Sequence, residues 1–250
     1  MTFVQESEPR PKPRVIRAPA VRRAELIDCA QRLFLAKGYE RTTINDVIAA
    51  TGLSKGAFYH HFRAKEELLE AIAGRFAEQA VAYAKGVADD PSLDALGRLN
   101  GLLAMSREWK EEHLGELRAM FLTLLRPENA RLYHRIVGAV FAALGPTIAG
   151  VIAAGQAEGR FDVADPEIAA EALLWMGESR RLLVVQAMSA AEAGDVDAAT
   201  ALIMKRVRAE EAMIDRILGL HAGGVDLAGS EAYIRTLIVA WVRAVETQAG

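Results

Sequence analysis

The sequence predicts an all-α protein, with a small three-helix front unit containing a helix-turn-helix and a larger helical body behind it. Three observations carry that expectation. Apolar residues recur at three- and four-residue spacing, as in Leu26, Ile27, Ala30, Leu33 and Phe34. Beta-branched and aromatic residues never gather into alternating, strand-like runs. Helix start and stop signals separate the apolar segments from one another.

Residues 1–20 intersperse Pro9, Pro11, Pro13 and Pro19 with Arg10, Lys12, Arg14 and Arg17. That mixture predicts a disordered basic arm. A first helix is expected from about Arg22 to Lys37, capped by Gly38, with Cys29 an inert, partly buried thiol beside its apolar stripe. Thr43 opens a second helix. Asp46 completes a Thr-x-x-Asp capping box, and Ile44, Val47 and Ile48 form the buried side. Thr51-Gly52 ends that helix, Leu53 turns inward, and Ser54 caps a third short helix that stops near Phe62. Two short helices across a turn, behind a longer one, describe a helix-turn-helix.

A long fourth helix begins around Lys65, where Glu66 and Glu67 suit its positive end and Leu68, Leu69, Ile72 and Phe76 form its inner face. Beyond residue 88, helices are expected at about 93–107, 109–125, 128–156, 166–188, 195–219 and 229–247. Asp165 followed by Pro166 is a well-formed start signal for the fourth of these. The chain therefore divides into an arm (1–20), a helix-turn-helix unit (21–66) and a helical body (67–250).

Charge supports the same division. The net of -3 conceals 12 Lys and Arg against 6 Asp and Glu in residues 1–65, a formal +6, and a formal -9 in the remainder. A basic module on an acidic body is the pattern of a chain whose front end alone meets a polyanion. A single cysteine excludes an internal disulfide framework and any cysteine-based zinc cluster. The polar N-terminus lacks a signal-peptide pattern. The apolar stretch 136–154 is rich in Gly and Ala, and reads as a buried helix rather than a membrane span. The cytoplasm, with no membrane partner, is the expected location.

The third helix is the candidate reader of DNA. Ala57, Phe58 and Phe62 take inward positions, which leaves Lys55, Gly56, Tyr59 and His60 on the outer side. A helix of this size fits the major groove, where Lys55, Tyr59 and His60 offer donors to base edges. Thr42, Thr43 and Lys65 are suited to backbone phosphates, which set register. Gly56 lowers helix stability by about 1 kcal/mol relative to Ala, explicable by a close approach to the duplex or by crowding against another helix. His60 and His61 point about 100° apart on a helix and have no Asp, Glu or Cys at ligand spacing, so no metal site is expected. The full candidate set is Thr42, Thr43, Ser54, Lys55, Gly56, Ala57, Tyr59, His60, His61 and Lys65, with His61 open between phosphate contact and packing.

The run AQRLFLAKGYERTTINDVIAATGLSKGAFYHHFRAKEELLEAI at 30–72 resembles the DNA-binding domain of TetR-family transcriptional regulators, a resemblance covering about residues 22–72. Matching positions include Ala30, Phe34, Gly38, Tyr39, Thr42, Thr43, Gly52, Ser54, Gly56, Tyr59, Phe62 and Lys65. The resemblance implies a three-helix DNA-binding domain followed by a helical ligand-binding and dimerisation domain. It also implies a homodimer on a palindromic double-stranded operator, acting as a repressor that a small molecule releases. No cofactor is implied. The arm and the helix at about 229–247 depart from the minimal pattern, and the arm could add phosphate or minor-groove contacts.

For the body, the resemblance implies dimerisation through helices 166–188 and 195–219 as a four-helix bundle. Ala169, Leu173, Trp175, Met176 and Leu183 on the first, and Leu202, Ile203, Val207, Met213, Ile214 and Ile217 on the second, could serve a dimer or an intrachain core. A hydrophobic or aromatic effector is expected in a cavity lined by Met105, Trp109, Met120, Phe121, Leu124 and Tyr133, with Trp175 closing it. Arg180 and Arg181 sit mid-helix, where an ordinary ion pair such as one to Glu178 competes with an anionic ligand. Two alternatives remain: a DNA-binding regulator without an effector, its body serving dimerisation or a protein partner, and an all-helical enzyme using His60, His61, His113 or His134. No spacing such as HExxH supports the enzyme.

Overall fold

The computed structural model describes residues 18–124, 126 and 129–249, without the side chains of residues 119, 121, 122 and 244–249. The expected basic arm lies outside the described residues apart from its last three positions. The helices are α1 (Pro19–Lys37), α2 (Ile44–Thr51), α3 (Lys55–His61), α4 (Lys65–Ala88), α5 (Ala95–Glu112) and α6 (Leu114–Leu124), then α7 (Ala130–Ala157), α8 (Pro166–Ser179), α9 (Arg181–Glu192), α10 (Val196–Ile217) and α11 (Glu231–Ala249). The first starts three residues before its expected position. Pro19, expected in the arm, occupies its first turn, where a missing N–H leaves no hydrogen bond unmade.

Local chemistry fixes the front unit. The Thr43 hydroxyl accepts from the Asp46 N–H while the Asp46 carboxylate accepts from the Thr43 N–H, closing the capping box. Lys37 lies 2.6 Å from the same carboxylate, and these contacts hold the Asp46 carboxyl well below the usual range. Gly38 and Gly52 take positive φ at the ends of α1 and α2, and Ser54 caps α3 by accepting from Ala57 N–H. The core beneath joins Leu26, Ile27, Phe34, Val47, Phe58 and Phe62 to Leu68, Leu69, Ile72 and Phe76 of α4. It continues into Leu124, Leu132, Tyr133 and Ile136, so α4 crosses the expected boundary at residue 66 inside one unbroken core.

A second core joins α4, α5, α7, α8 and α10 through residues such as Leu99, Ile152, Phe161, Ala169 and Ile214. A third joins α9, α10 and α11 through Met188, Val207, Ile238 and Trp241. α11 is tied down by the Tyr233 hydroxyl, which donates to Arg107 O at 2.8 Å, and by an Arg235–Asp197 ion pair. α7 is long and apolar enough to cross a membrane, with a window of mean hydropathy 2.1 of which 17% is buried. It nevertheless packs among α4, α5 and α8, and part of its apolar face lines an internal cavity.

The expected helix 166–188 is broken. α8 stops at Ser179 and α9 starts at Arg181, with Arg180 between them. The reasons are local and tertiary together. Gly177 weakens the last turn, the Ser179 hydroxyl donates back to Met176 O at 2.7 Å, and Glu210 on α10 holds the Arg180 guanidinium at 2.6 Å. Most of the apolar stripes that suited a dimer are intrachain core: Ala169, Leu173, Met176 and Ile214 in the second core, Leu183, Ile203 and Val207 in the third.

Candidate nucleic-acid interface and internal cavity

Two phenylalanines fasten α3. Phe58 is 0% and Phe62 2% exposed, their rings 6.2 Å apart, and the Arg23 guanidinium lies 5.1 Å over Phe62. With that face anchored, Lys55, Gly56, Tyr59 and His60 are left on the surface, and Tyr59 stands 44% exposed. The Tyr59 ring meets Phe58 edge-on at 5.4 Å, which limits its freedom without covering it. A Cβ built on Gly56 would meet nothing within 4 Å. Crowding within the chain therefore does not explain this glycine.

Thr43 and Ser54 are exposed at helix starts beside this face, their side chains engaged in caps, and Ala57 is half-buried one step in. Three expected members of the set are placed elsewhere. Thr42 is 1% exposed and its hydroxyl donates to Gly38 O at 2.8 Å, so it closes the α1–α2 turn. Lys65 donates to Tyr39 O at 2.9 Å and stacks over the Tyr39 ring at 4.0 Å, so its ammonium pins the same turn. His61 is half-buried on a groove shared with Arg23 and Glu67, and burial, with the charges of His60 and Arg23, pushes its imidazole below the ordinary value. Arg41 and Arg63 are exposed cations flanking the helix-turn-helix that the helical-face argument did not select.

Behind the front unit lies a cavity of about 430 Å³ between α4, α5, α6, α7, α8 and α10. Phe76, Leu102, Met105, Val140, Leu144, Leu173 and Ile214 make most of its wall apolar. One end is charged. Glu210, 3% exposed, accepts from Arg206 Nε at 2.6 Å and pairs with Arg180 at 2.6 Å. Lys110 shares this end with no carboxylate against it among the described residues. Lys110 keeps an exposed side chain, yet desolvation by the surrounding protein, reinforced by the Arg180 and Arg107 charges, pushes its ammonium down to about 8. Trp109, stacked on His113 at 4.8 Å, has a buried indole N–H without an acceptor.

A profile of the tetR family of bacterial regulatory proteins matches residues 26–72, the span from α1 to the first turns of α4. Residues 26–72 thus carry a DNA-binding domain of the TetR type. Over 92 residues it is 34% identical to the HTH-type transcriptional repressor KstR2 of Mycobacterium tuberculosis, a match covering 37% of this chain and 46% of that protein. The chain thus spans about half the length of the curated relatives it matches. Two solved structures share the fold over most of both chains. RolR in complex with resorcinol has a TM-score of 0.56 at 21% identity, covering 88% of this chain and 94% of RolR. The SmeT–triclosan complex has a TM-score of 0.54 at 23% identity, covering 82% and 95%.

Among the residues proposed for the cavity, Met105, Trp109 and Met120 line it. Leu124 and Tyr133 do not. Both belong to the front core, and the Tyr133 hydroxyl donates to Glu178. Trp175 lies outside, 49% exposed and edge-on to Phe141 at 5.0 Å. The Phe121 side chain lies outside the described residues. Arg181 makes the expected pair with Glu178, at 3.4 Å, whereas Arg180 reaches a different helix. Lys110 was missed although its position signalled it: it continues the stripe Leu99, Leu102, Leu103, Ser106, where an apolar residue belongs.

Proposed function

We propose that the protein is a homodimeric, sequence-specific DNA-binding repressor that leaves a palindromic operator when a small, largely apolar ligand fills the cavity. The observation that carries this reading is the outward face of α3. Lys55, Tyr59 and His60 project from a helix locked by Phe58 and Phe62, with an unobstructed glycine between them. Direct readout needs donors on a rigid element narrow enough for the major groove. The phosphate contact expected of Thr43 would come from the same edge.

Dimerisation is supported by Ile168, Trp175, Leu182, Val185 and Met213, large apolar side chains exposed on α8, α9 and α10. A second copy packed there would cover them and set two α3 helices about 34–36 Å apart, one turn of DNA. The effector reading is favoured over a body serving dimerisation alone by the cavity itself. α4 is the natural lever, since Phe76 belongs to the front core and also lines the cavity. A ligand that prefers a different α4 position shifts the spacing of the readers. A cytoplasmic location follows from the DNA partner.

The test is fluorescence anisotropy on the intergenic DNA upstream of the protein's own gene. Labelled DNA should bind more tightly than scrambled competitor at physiological salt, and Tyr59→Ala should weaken binding while thermal unfolding stays unchanged. Equal binding to scrambled DNA, with Tyr59→Ala silent, would sink the proposal.

A further inference from the structure

We infer that the cavity takes an amphipathic organic acid, an apolar body ending in a carboxylate that lies between Lys110 and Arg180. This deepens the effector reading above and rests on it. The argument begins with the charges at that end of the cavity. Two cations, Lys110 and Arg180, line it with one carboxylate, Glu210, which pairs with Arg180 and with Arg206 beyond the lining. Arg107, the other nearby cation, is taken by Asp226, whose backbone carbonyl accepts at 2.5 Å and whose carboxylate lies 3.2 Å away. Lys110 is left with no counter-charge among the described residues.

Hydrogen bonding points the same way. The buried donors on this wall that find no acceptor are the Arg180 Nε–H and the Trp109 indole N–H. The Lys110 ammonium adds further donors, and the one carboxylate contacts both arginines, its Oε2 being a buried acceptor without a hydrogen bond. A site rich in unused donors and unbalanced positive charge recognises an acceptor-bearing anion. A cation would be repelled, and a neutral ligand would leave the ammonium unpaired. The remaining wall is apolar, so the charged group must be terminal and the rest of the molecule hydrophobic.

The test titrates the full-length protein with the linear carboxylates from hexanoate to dodecanoate and with the primary alcohols of equal length, read by calorimetry and tryptophan fluorescence. At one chain length or more, the carboxylate should bind at least about tenfold more tightly than its alcohol. Lys110→Met should abolish that preference while leaving alcohol affinity within about twofold, and Lys110→Arg should restore it. Alcohols binding as well as carboxylates throughout, or a preference that survives Lys110→Met, would overturn the organic-acid inference and leave the effector reading standing. Failure of both series to bind would remove both. Binding of either series without release of DNA in the anisotropy assay would remove the effector reading alone.

Discussion

At the scale of single residues, the front unit separates positions that build from positions that read. Phe58 is fully buried beneath α3, so Phe58→Ala should lower stability by about 3–5 kcal/mol in urea unfolding and lose DNA binding with it. Gly56→Ala should do the opposite to stability. A Cβ meets open space there and Ala is the better helix former, so stability should rise by up to about 1 kcal/mol. If the glycine serves approach to the duplex, the same variant weakens DNA binding, which anisotropy reads independently of folding.

Lys110 makes a separate prediction with a definite sign. Its folded value of about 8 lies below the ordinary 10.5, so between these values the unfolded chain binds a proton that the folded one lacks. Stability of the ligand-free protein should therefore rise with pH across that window relative to Lys110→Met, and the two should run parallel below it. Carboxylate affinity should move the other way, weakening as pH climbs through about 8 and the ammonium is lost. The charged groups facing Lys110 are Arg107 on its own helix, Arg180 at the α8–α9 break, and Glu210 and Arg206 on α10. Lys110 is the group of this cluster whose shifted value falls in that range.

At the scale of elements, glycine chemistry and one buried carboxylate decide how the body is built. The Gly155 position faces the Phe161 ring so closely that a Cβ would overlap it. Gly155→Ala should force that ring out of the second core and destabilise by about 1–3 kcal/mol, seen as a lowered unfolding midpoint. The break at Arg180 is a different kind of feature. Residues 166–192 carry an almost continuous helical pattern, Arg180 keeps helical dihedrals at the break, and its guanidinium reaches Glu210, thirty positions further along the chain. Glu210→Gln should weaken the hold on Arg180 and Arg206 together, so its effect should be non-additive with Arg180→Gln in a double-mutant cycle.

At the scale of the whole molecule, the exposed apolar side chains of α8, α9 and α10 predict self-association. Leu182, 70% exposed, is the most accessible of them. Leu182→Lys should shift sedimentation from twice the chain mass toward the single 27.1 kDa chain and weaken operator binding in parallel. The formal +6 of residues 1–65 against a formal -9 behind it confines phosphate contact to one end, so affinity for DNA should fall steeply as salt rises.

The sequence alone determined the all-helical class, the order of helices, the capping box at Thr43 and Asp46, and the division of α3 into buried and exposed faces. These are governed by interactions within a few residues, and local spacing records them. Tertiary structure decided what depends on distant partners. It turned Thr42 and Lys65 into clasps on the α1–α2 turn, moved Tyr133 and Trp175 off the cavity, and split the helix at Arg180. It also gathered Lys110, Arg180 and Glu210 at one end of an apolar space. The stripe of its own helix marks Lys110 as out of place, but its neighbours lie seventy and a hundred positions away, so only the fold could show which cations stand without a counter-charge.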